Sequence, residues 1–368
     1  MTTPRLLALG LLLAACNSGP KGPPPTYTAT AIGDTLMAPV VHISDAVERS
    51  DSTWVVLGIE EGAVLVANFG AGKVTPYPGI TPEEVPGATG LFAAGDTIFV
   101  ADWGLRRVTA WTPDGKRVDA IPAPDALRGA FPRARDGAGQ WYFEVTPPQG
   151  PDGMGIKDSS ALVRADAFLT RFDTVAMLTP PEVAEVDRSG RKRLEIRALA
   201  GRDRWGVLRD GTVWVARINQ NQLFWFFASG GRPAHTRPLP DPILPVTEMD
   251  RQRYLLRYPE ANRPVVQAIS WAIVKPAFER AFAAPGGRVW LFKSGDEEPV
   301  DTLRTFQVAD STGWLFNVDV PSYGMALGVT PTEILMGEEN PDGIRLLRFR
   351  IPPEARYPPP PPPAPTTP

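Results

Sequence analysis

One recurring pattern constrains this chain more than any other feature. An apolar triplet leads into a polar turn, then an apolar residue, then an aromatic three positions later. Val64-Leu65-Val66 is followed by Val74 and Tyr77, Ile98-Phe99-Val100 by Val108 and Trp111, and Val213-Trp214-Val215 by Leu223 and Phe226. Val289-Trp290-Leu291 is followed by Leu303 and Phe306, and Ile334-Leu335-Met336 by Leu346 and Phe349. A degraded copy, Trp141-Tyr142-Phe143, reaches Leu162-Val163 only after an insertion. Such triplets are too short for a helix and read as strands buried on both faces, each with a hairpin partner. A unit this small cannot bury two apolar faces alone, so the copies must stack on one another.

The triplet centres are Leu65, Phe99, Tyr142, Trp214, Trp290 and Leu335. Three of the intervals match one four-stranded propeller blade of about 40–50 residues. The sequence therefore predicts an all-β, six-bladed β-propeller over 27–353. Two intervals are nearly twice as long. The first holds Leu169 to Leu178 and Arg193 to Leu199, which read as an outer and an inner strand. The second, between blades four and five, holds a short helical insert. There Thr247 is placed to N-cap EMDRQRYLLRY, with Glu248 and Asp250 in the first turn. Gly95-Asp96, Asp136-Gly137, Asp210-Gly211 and Gly286-Gly287 precede triplets, and Pro-Asp-Gly recurs at 113–115, 151–153 and 341–343. These are turn signals, since Gly tolerates the positive φ of tight turns. The aromatic centres Phe99, Tyr142, Trp214 and Trp290 are expected to fill the wedges between blades. The last blade looks short of strands. Thr28 to Ile32 or Val40 to Ile43 is expected to complete it and lock the ring.

The segment Val100-Ala101-Asp102-Trp103-Gly104-Leu105-Arg106-Arg107-Val108-Thr109-Ala110-Trp111-Thr112-Pro113-Asp114-Gly115 resembles an NHL-type repeat. In such repeats an apolar-Ala-Asp run leads through a Gly-containing turn to an Arg, an aliphatic residue, an aromatic and a closing Asp-Gly. Asp102 and Arg107 match the acid and the Arg, while Leu105 stands where that family usually has Asn. The match is good over 93–121 and partial over 209–230, 285–307 and 333–350. The whole chain resembles bacterial six-bladed β-propeller lipoproteins, a likeness that implies a fold and not an activity.

The ends have their own logic. Arg5 precedes an apolar run from Leu6 to Ala15, too short to span a membrane. It closes in Leu13-Ala14-Ala15-Cys16, which resembles the bacterial lipobox: small residues admit the peptidase and the thiol accepts diacylglycerol. Cys16 is the only Cys in the protein, so no internal disulfide and no Cys-built metal site exist. The sequence thus predicts a signal peptide over 1–15, membrane lipid as a partner through Cys16, and an envelope location. A Pro-rich tether follows over 16–26, and a Pro-rich tail over 354–368 is expected to be extended polyproline II.

The chemistry is less specific. Three positions after each triplet centre stand Asn68, Asp102, Val145 with Glu144 beside it, Arg217, Lys293 and Glu338. If equivalent, they form a ring of mixed charge at the channel mouth, suited to a small polar ligand. The plainer reading is a set of strand ends in water, with Asp102 and Arg107 as an exposed ion pair. Gluconolactonase-type hydrolases share the architecture and need carboxylate and amide oxygens around a hard cation. Here Arg217 and Lys293 would oppose such an ion. Streptogramin-lyase-like propellers use a His base. The two His, His42 and His235, fall on a strand and after a turn. Gly70-Ala71-Gly72-Lys73 is a hairpin turn, since Ala67 and Val74 break the phosphate-loop pattern. The basic run Arg188 to Arg193 is flanked by Glu185, Asp187 and Glu195 and reads as an exposed loop. No cofactor or metal motif is found. A net charge of −3 argues against a nucleic-acid partner. The expectation is a monomeric binding or scaffold protein of the envelope, with an envelope protein or small polar ligand as partner. A cation-site hydrolase or lyase and a carbohydrate receptor are the alternatives.

Overall fold

The computed structural model describes residues 23–357 apart from 51, 151, 189, 240–242, 257–259, 261–262 and 295–302. Residues 1–22, Cys16 among them, and the run of prolines after Tyr357 lie outside the described residues. Six sheets of antiparallel strands stand around one axis. Their inner strands are Ile43–Ser50, Ala88–Ala94, Pro132–Arg135, Arg204–Val207, Phe278–Ala284 and Met325–Val329, each touching the next until the last returns to the first. The second strands are Thr53–Gly58, Thr97–Asp102, Trp141–Val145, Val213–Arg217, Arg288–Lys293 and Glu333–Asn340. The fold is the predicted six-bladed propeller.

Wedge packing follows the triplets. Six apolar clusters lie one between each pair of neighbouring blades. Phe99, Tyr142, Trp214 and Trp290 are each 2% exposed. Gly206 faces the Trp214 ring so closely that a Cβ there would lie 2.6 Å from it. The Pro-Asp-Gly signals end in left-handed glycines, Gly115 at φ 86°, Gly153 at 79° and Gly343 at 133°.

Blade six is completed from the other end of the chain. Thr30–Ala31 and Leu36–Ala38 pair antiparallel with Gly343–Arg350. Thr26–Thr28 instead joins blade five in parallel, beside Asn317 to Asp319. Neither predicted run closes the ring intact. Thr28 to Ile32 is divided between two blades, and Ile43 already begins the inner strand of blade one. The closing pair Leu36 and Ala38 sits between them, buried against blade six.

The structure departs from the sequence pattern at two further places. Arg193 to Leu199 is not a blade strand: Arg191–Ile196 pairs with Val183–Arg188 in a separate hairpin, and blade four begins at Arg204. The first triplet, Val64 to Val66, belongs to the third strand of its blade, whereas the other five lie on second strands. Trp54-Val55-Val56 is the true counterpart. Both arms of that hairpin are apolar because both are sandwiched between blades, so the pattern alone does not rank them. The helical insert is present between blades four and five as α1 (Glu248–Leu256) and α2 (Arg263–Gln267). Thr247 caps α1, accepting the Asp250 amide at 3.2 Å while its own amide donates to Asp250 at 2.7 Å.

Candidate functional site

Strand direction assigns every loop to one of two faces. The inner strand of each blade starts at one face, the second strand returns to it, and the fourth strand ends there. Loops from second to third strands and from one blade to the next therefore share that face. Three long insertions lie on it: 146–160 within blade three, 178–203 between blades three and four, and 236–277 between blades four and five. They bond to one another. The Leu194 amide donates to the Asp152 carbonyl at 2.9 Å, the Ala198 amide to Ser270 at 2.8 Å, and the Ala272 amide to Ala198 at 2.9 Å. Arg197 adds a bond to the Trp271 carbonyl at 3.1 Å. The insertions make a continuous crown over blades three to five.

Asp102, Glu144, Arg217, Lys293 and Glu338 end second strands, or lie beside or within that end, on this crown face. Asn68 does not join them. It ends a third strand, opposite Thr53 and Lys73, on the other face, where its carboxamide accepts the Ala71 amide at 2.9 Å. The position equivalent to Asp102 in blade one is Gly58. Nor do the remaining five side chains act as one group. Asp102 is fully buried and accepts the Leu105 amide at 3.0 Å, bracing its own turn. It faces Arg107 in the ladder without an ion pair, and Arg107 donates to the Glu84 carbonyl. Glu144 accepts the Trp205 indole at 3.0 Å and ties blade three to blade four. Arg217 pairs with buried Asp203 at 3.5 Å and lies over Phe224. Glu338, 3% exposed, pairs with Arg345 and accepts the Ser322 hydroxyl at 2.8 Å. Lys293 is half-buried at its strand end.

The mouth itself is lined from the first residues of the inner strands. In blades one, two, three, five and six the register slips there, at Ile43/Asp45, Ala88/Gly90, Pro132/Ala134, Phe278/Arg280 and Ala326/Gly328. Such bulges bend a strand and re-aim its side chains. Counted from the second-strand ends, Asp45, Gly90, Arg204 and Arg280 occupy one level. Arg280 reaches past blade six to blade one, donating to the Ser44 carbonyl at 3.1 Å and the Ile43 carbonyl at 3.4 Å. Burial pushes the Asp45 carboxyl above its ordinary value, opposed by the Ser44 hydroxyl and by the charges of Arg280 and Arg133. Burial lowers Arg280, with Asp45 acting against it and Arg204 with it. Arg204 is lowered by burial, then by the charges of Arg202 and Arg133, against Glu144 and Glu279. Water reaches Arg204 in the mouth, yet protein surrounds it on most sides.

These arginines went unseen in the sequence because the pattern drew attention to second strands. Their signal is local: PRAR at 132–135, DRWGV at 203–207 and FERAF at 278–282 each break an apolar run with Arg just where an inner strand begins. His42 and His235 lie apart. The His42 carbonyl accepts the Ile59 amide, and His235 packs on Phe224 at 5.3 Å on the outer rim.

The fold and the mouth define the class: a six-bladed β-propeller with an arginine-rich opening under a crown of insertions. No family model and no curated protein sequence matches the chain. Among solved structures, a protein named as exported from Bacteroides fragilis aligns with TM-score 0.49 at 10% identity, over 89% of this chain and 98% of that one. A catalytically inactive virginiamycin B lyase from Staphylococcus aureus, with quinupristin, aligns with TM-score 0.48 at 11% identity, over 86% and 98%. The calcium-binding protein regucalcin from Agrobacterium tumefaciens aligns with TM-score 0.44 at 8% identity, over 89% and 96%. Likeness at these identities concerns the path of the strands and transfers no activity.

Proposed function

We propose that this protein is an exported, lipid-anchored propeller of the bacterial envelope that works by binding, as a scaffold, with the crown face as its working surface. Export and anchoring rest on the apolar leader and on the small residues before the sole cysteine, Cys16. Binding at the crown rests on one observation: the three long insertions and the arginine mouth share a single face. A closed ring needs no long loops to hold together, so loops added on one face are free to serve recognition. The cation-site hydrolase reading is opposed by the mouth's own charge, since several guanidinium groups disfavour a divalent ion there.

Two experiments test this. Labelled palmitate should be incorporated into the wild type and not into Cys16→Ser, which should leave the membrane fraction. A photo-crosslinking side chain at Lys192, on the crown, should give a defined adduct in cells, and one at Asp96, on the opposite face, should not. Equal adducts from both positions, or none from the crown, would remove the assignment of the working face. A Cys16→Ser protein that stays in the membrane would remove the anchor.

A further inference from the structure

Four arginines, Arg133, Arg202, Arg204 and Arg280, gather at the mouth, and most of their donors have no partner among the described residues. The side chains of Arg133, Arg202 and Arg204 make no hydrogen bond and no ion pair among the described residues. The nearby acids are largely engaged elsewhere. Glu144 holds the Trp205 indole, Glu279 pairs with Arg304 at 3.2 Å, and Asp203 takes Arg217 and two backbone amides. Asp45, which accepts the Ser44 hydroxyl at 2.9 Å, lies among Arg133 and Arg280. The positions are also deliberate in the fold. Arg204 and Arg280 stand at the same level on adjacent inner strands, and Arg133 rises from the strand before them on a bulge. Guanidinium groups brought together repel one another and lose hydration, a cost a propeller does not need for closure, and Asp45, Glu144 and Glu279 offset that cost only in part. Planar forks of donors on three neighbouring strands match clustered anionic oxygens.

We propose that Arg133, Arg204 and Arg280 form a binding site for a small polyanion carrying clustered carboxylate or phosphate oxygens, admitted through the crown, with Asp45 setting the far wall. This rests on the reading of the crown face as the working surface and names the ligand chemistry that it receives. Arg280 keeps its bonds to the carbonyls of blade one and contributes the donors left over. Arg133 and Arg204 are free to turn toward the ligand.

The test uses the mature full-length chain in detergent, with citrate, pyrophosphate, glucose and calcium chloride as probes. Citrate or pyrophosphate should raise the melting temperature of the wild type, and whichever acts tells a carboxylate source from a phosphate one. Glucose should do nothing. Arg204→Gln and Arg133→Gln should each weaken binding about tenfold or more, the effect of losing a charge-assisted donor pair. Each should also raise the melting temperature without ligand, because repulsion is relieved and no bond is lost. A merely structural guanidinium would do the reverse, so a fall in melting temperature overturns the proposal. So does a wild type that neither anion shifts, or a shift that survives in the Arg133→Gln, Arg204→Gln double variant. A rise with calcium chloride that Asp45→Asn abolishes would make the mouth a cation site instead. Anion binding without crown-specific crosslinks would sink the scaffold reading alone, and crown crosslinks without anion binding would sink this one alone.

Discussion

The two faces of the propeller are built by opposite means. On the face away from the crown, short turns are closed by their own side chains. Asp136 accepts the Ala138 and Gln140 amides at 3.0 and 2.8 Å, Asp166 accepts the Thr170 amide at 2.7 Å, and Asp310 accepts the Thr312 amide at 2.8 Å. Asn68, Asp210 and Thr330 do the same for Ala71, Thr212 and Glu333. Thr112 and Thr170 hold the carboxyls of Asp114 and Asp166 below the usual carboxylate range. Other charges there, Lys73, Asp96, Arg171, Arg209 and Arg232 among them, stand exposed in solvent at the turns. On the crown face the chain carries long insertions, and it gathers arginines around the axis. One face is made to stay shut and the other to receive something.

The comparison can be broken at several strengths. Both faces depend on the closed ring, so a chain begun at Ile43 should be damaged most. It loses buried Leu36, Ala38 and Val40 and bares the edge at Gly343–Arg350. A loss of about 5 kcal/mol or more is expected by chemical denaturation, or outright aggregation. An unchanged midpoint would mean the N-terminal strands are ornamental. Trp214→Ala should cost about 3–5 kcal/mol, since the ring fills the wedge between blades four and five. A cost under about 1 kcal/mol would deny that the wedge carries the ring.

Asp136→Ala tests the closed face directly. It removes the oxygen that accepts two amides and the nearer partner of the buried Tyr142 hydroxyl, 2.9 Å away. About 2–4 kcal/mol should go. Tyr142 adds a pH signature. Burial first, then the bond to Asp136 and its charge, hold the Tyr142 phenol above its ordinary value of 10.0. The folded state thus keeps a proton that the unfolded chain releases near pH 10. This contribution is full below that point and declines as pH rises toward the folded value. Tyr142→Phe should be less stable at neutral pH by about 1 kcal/mol and should close the gap above pH 10. A gap that stays constant would contradict the stated environment. The smallest effect belongs to the crown: Lys192→Ala loses an exposed partner of Glu185 and should leave the melting temperature unmoved. A large fall there would mean that the crown braces the ring.

Parts of the site were legible and parts were not, for a reason visible at single residues. Glu338, Asp102 and Arg217 fall on the crown face as expected because they follow apolar triplets, and a strand's end can be counted from its middle, but their side chains do not meet there. Asn68 was misplaced by the same count, because Val64 to Val66 looks as apolar as the strand beside it. Arg204 and Arg280 escaped because an inner strand is short, bulged and half solvated, and its periodicity is broken where the arginines enter. Arg107 opposite Asp102 looked like an ion pair, but strand register sets the backbones opposite and leaves the side chains to find other partners.

The sequence by itself determined the repeating wedge, the number of wedges and the turn chemistry between them. Each is a local matter of apolar burial and backbone preference, written within a few tens of residues. Only the tertiary structure decided which strands face the axis, which loops share a face and which charges meet there. Those depend on closing the ring, which sets residues such as Ser44 and Arg280 side by side although most of the chain lies between them. Their attraction and repulsion exist only once the blades have come together.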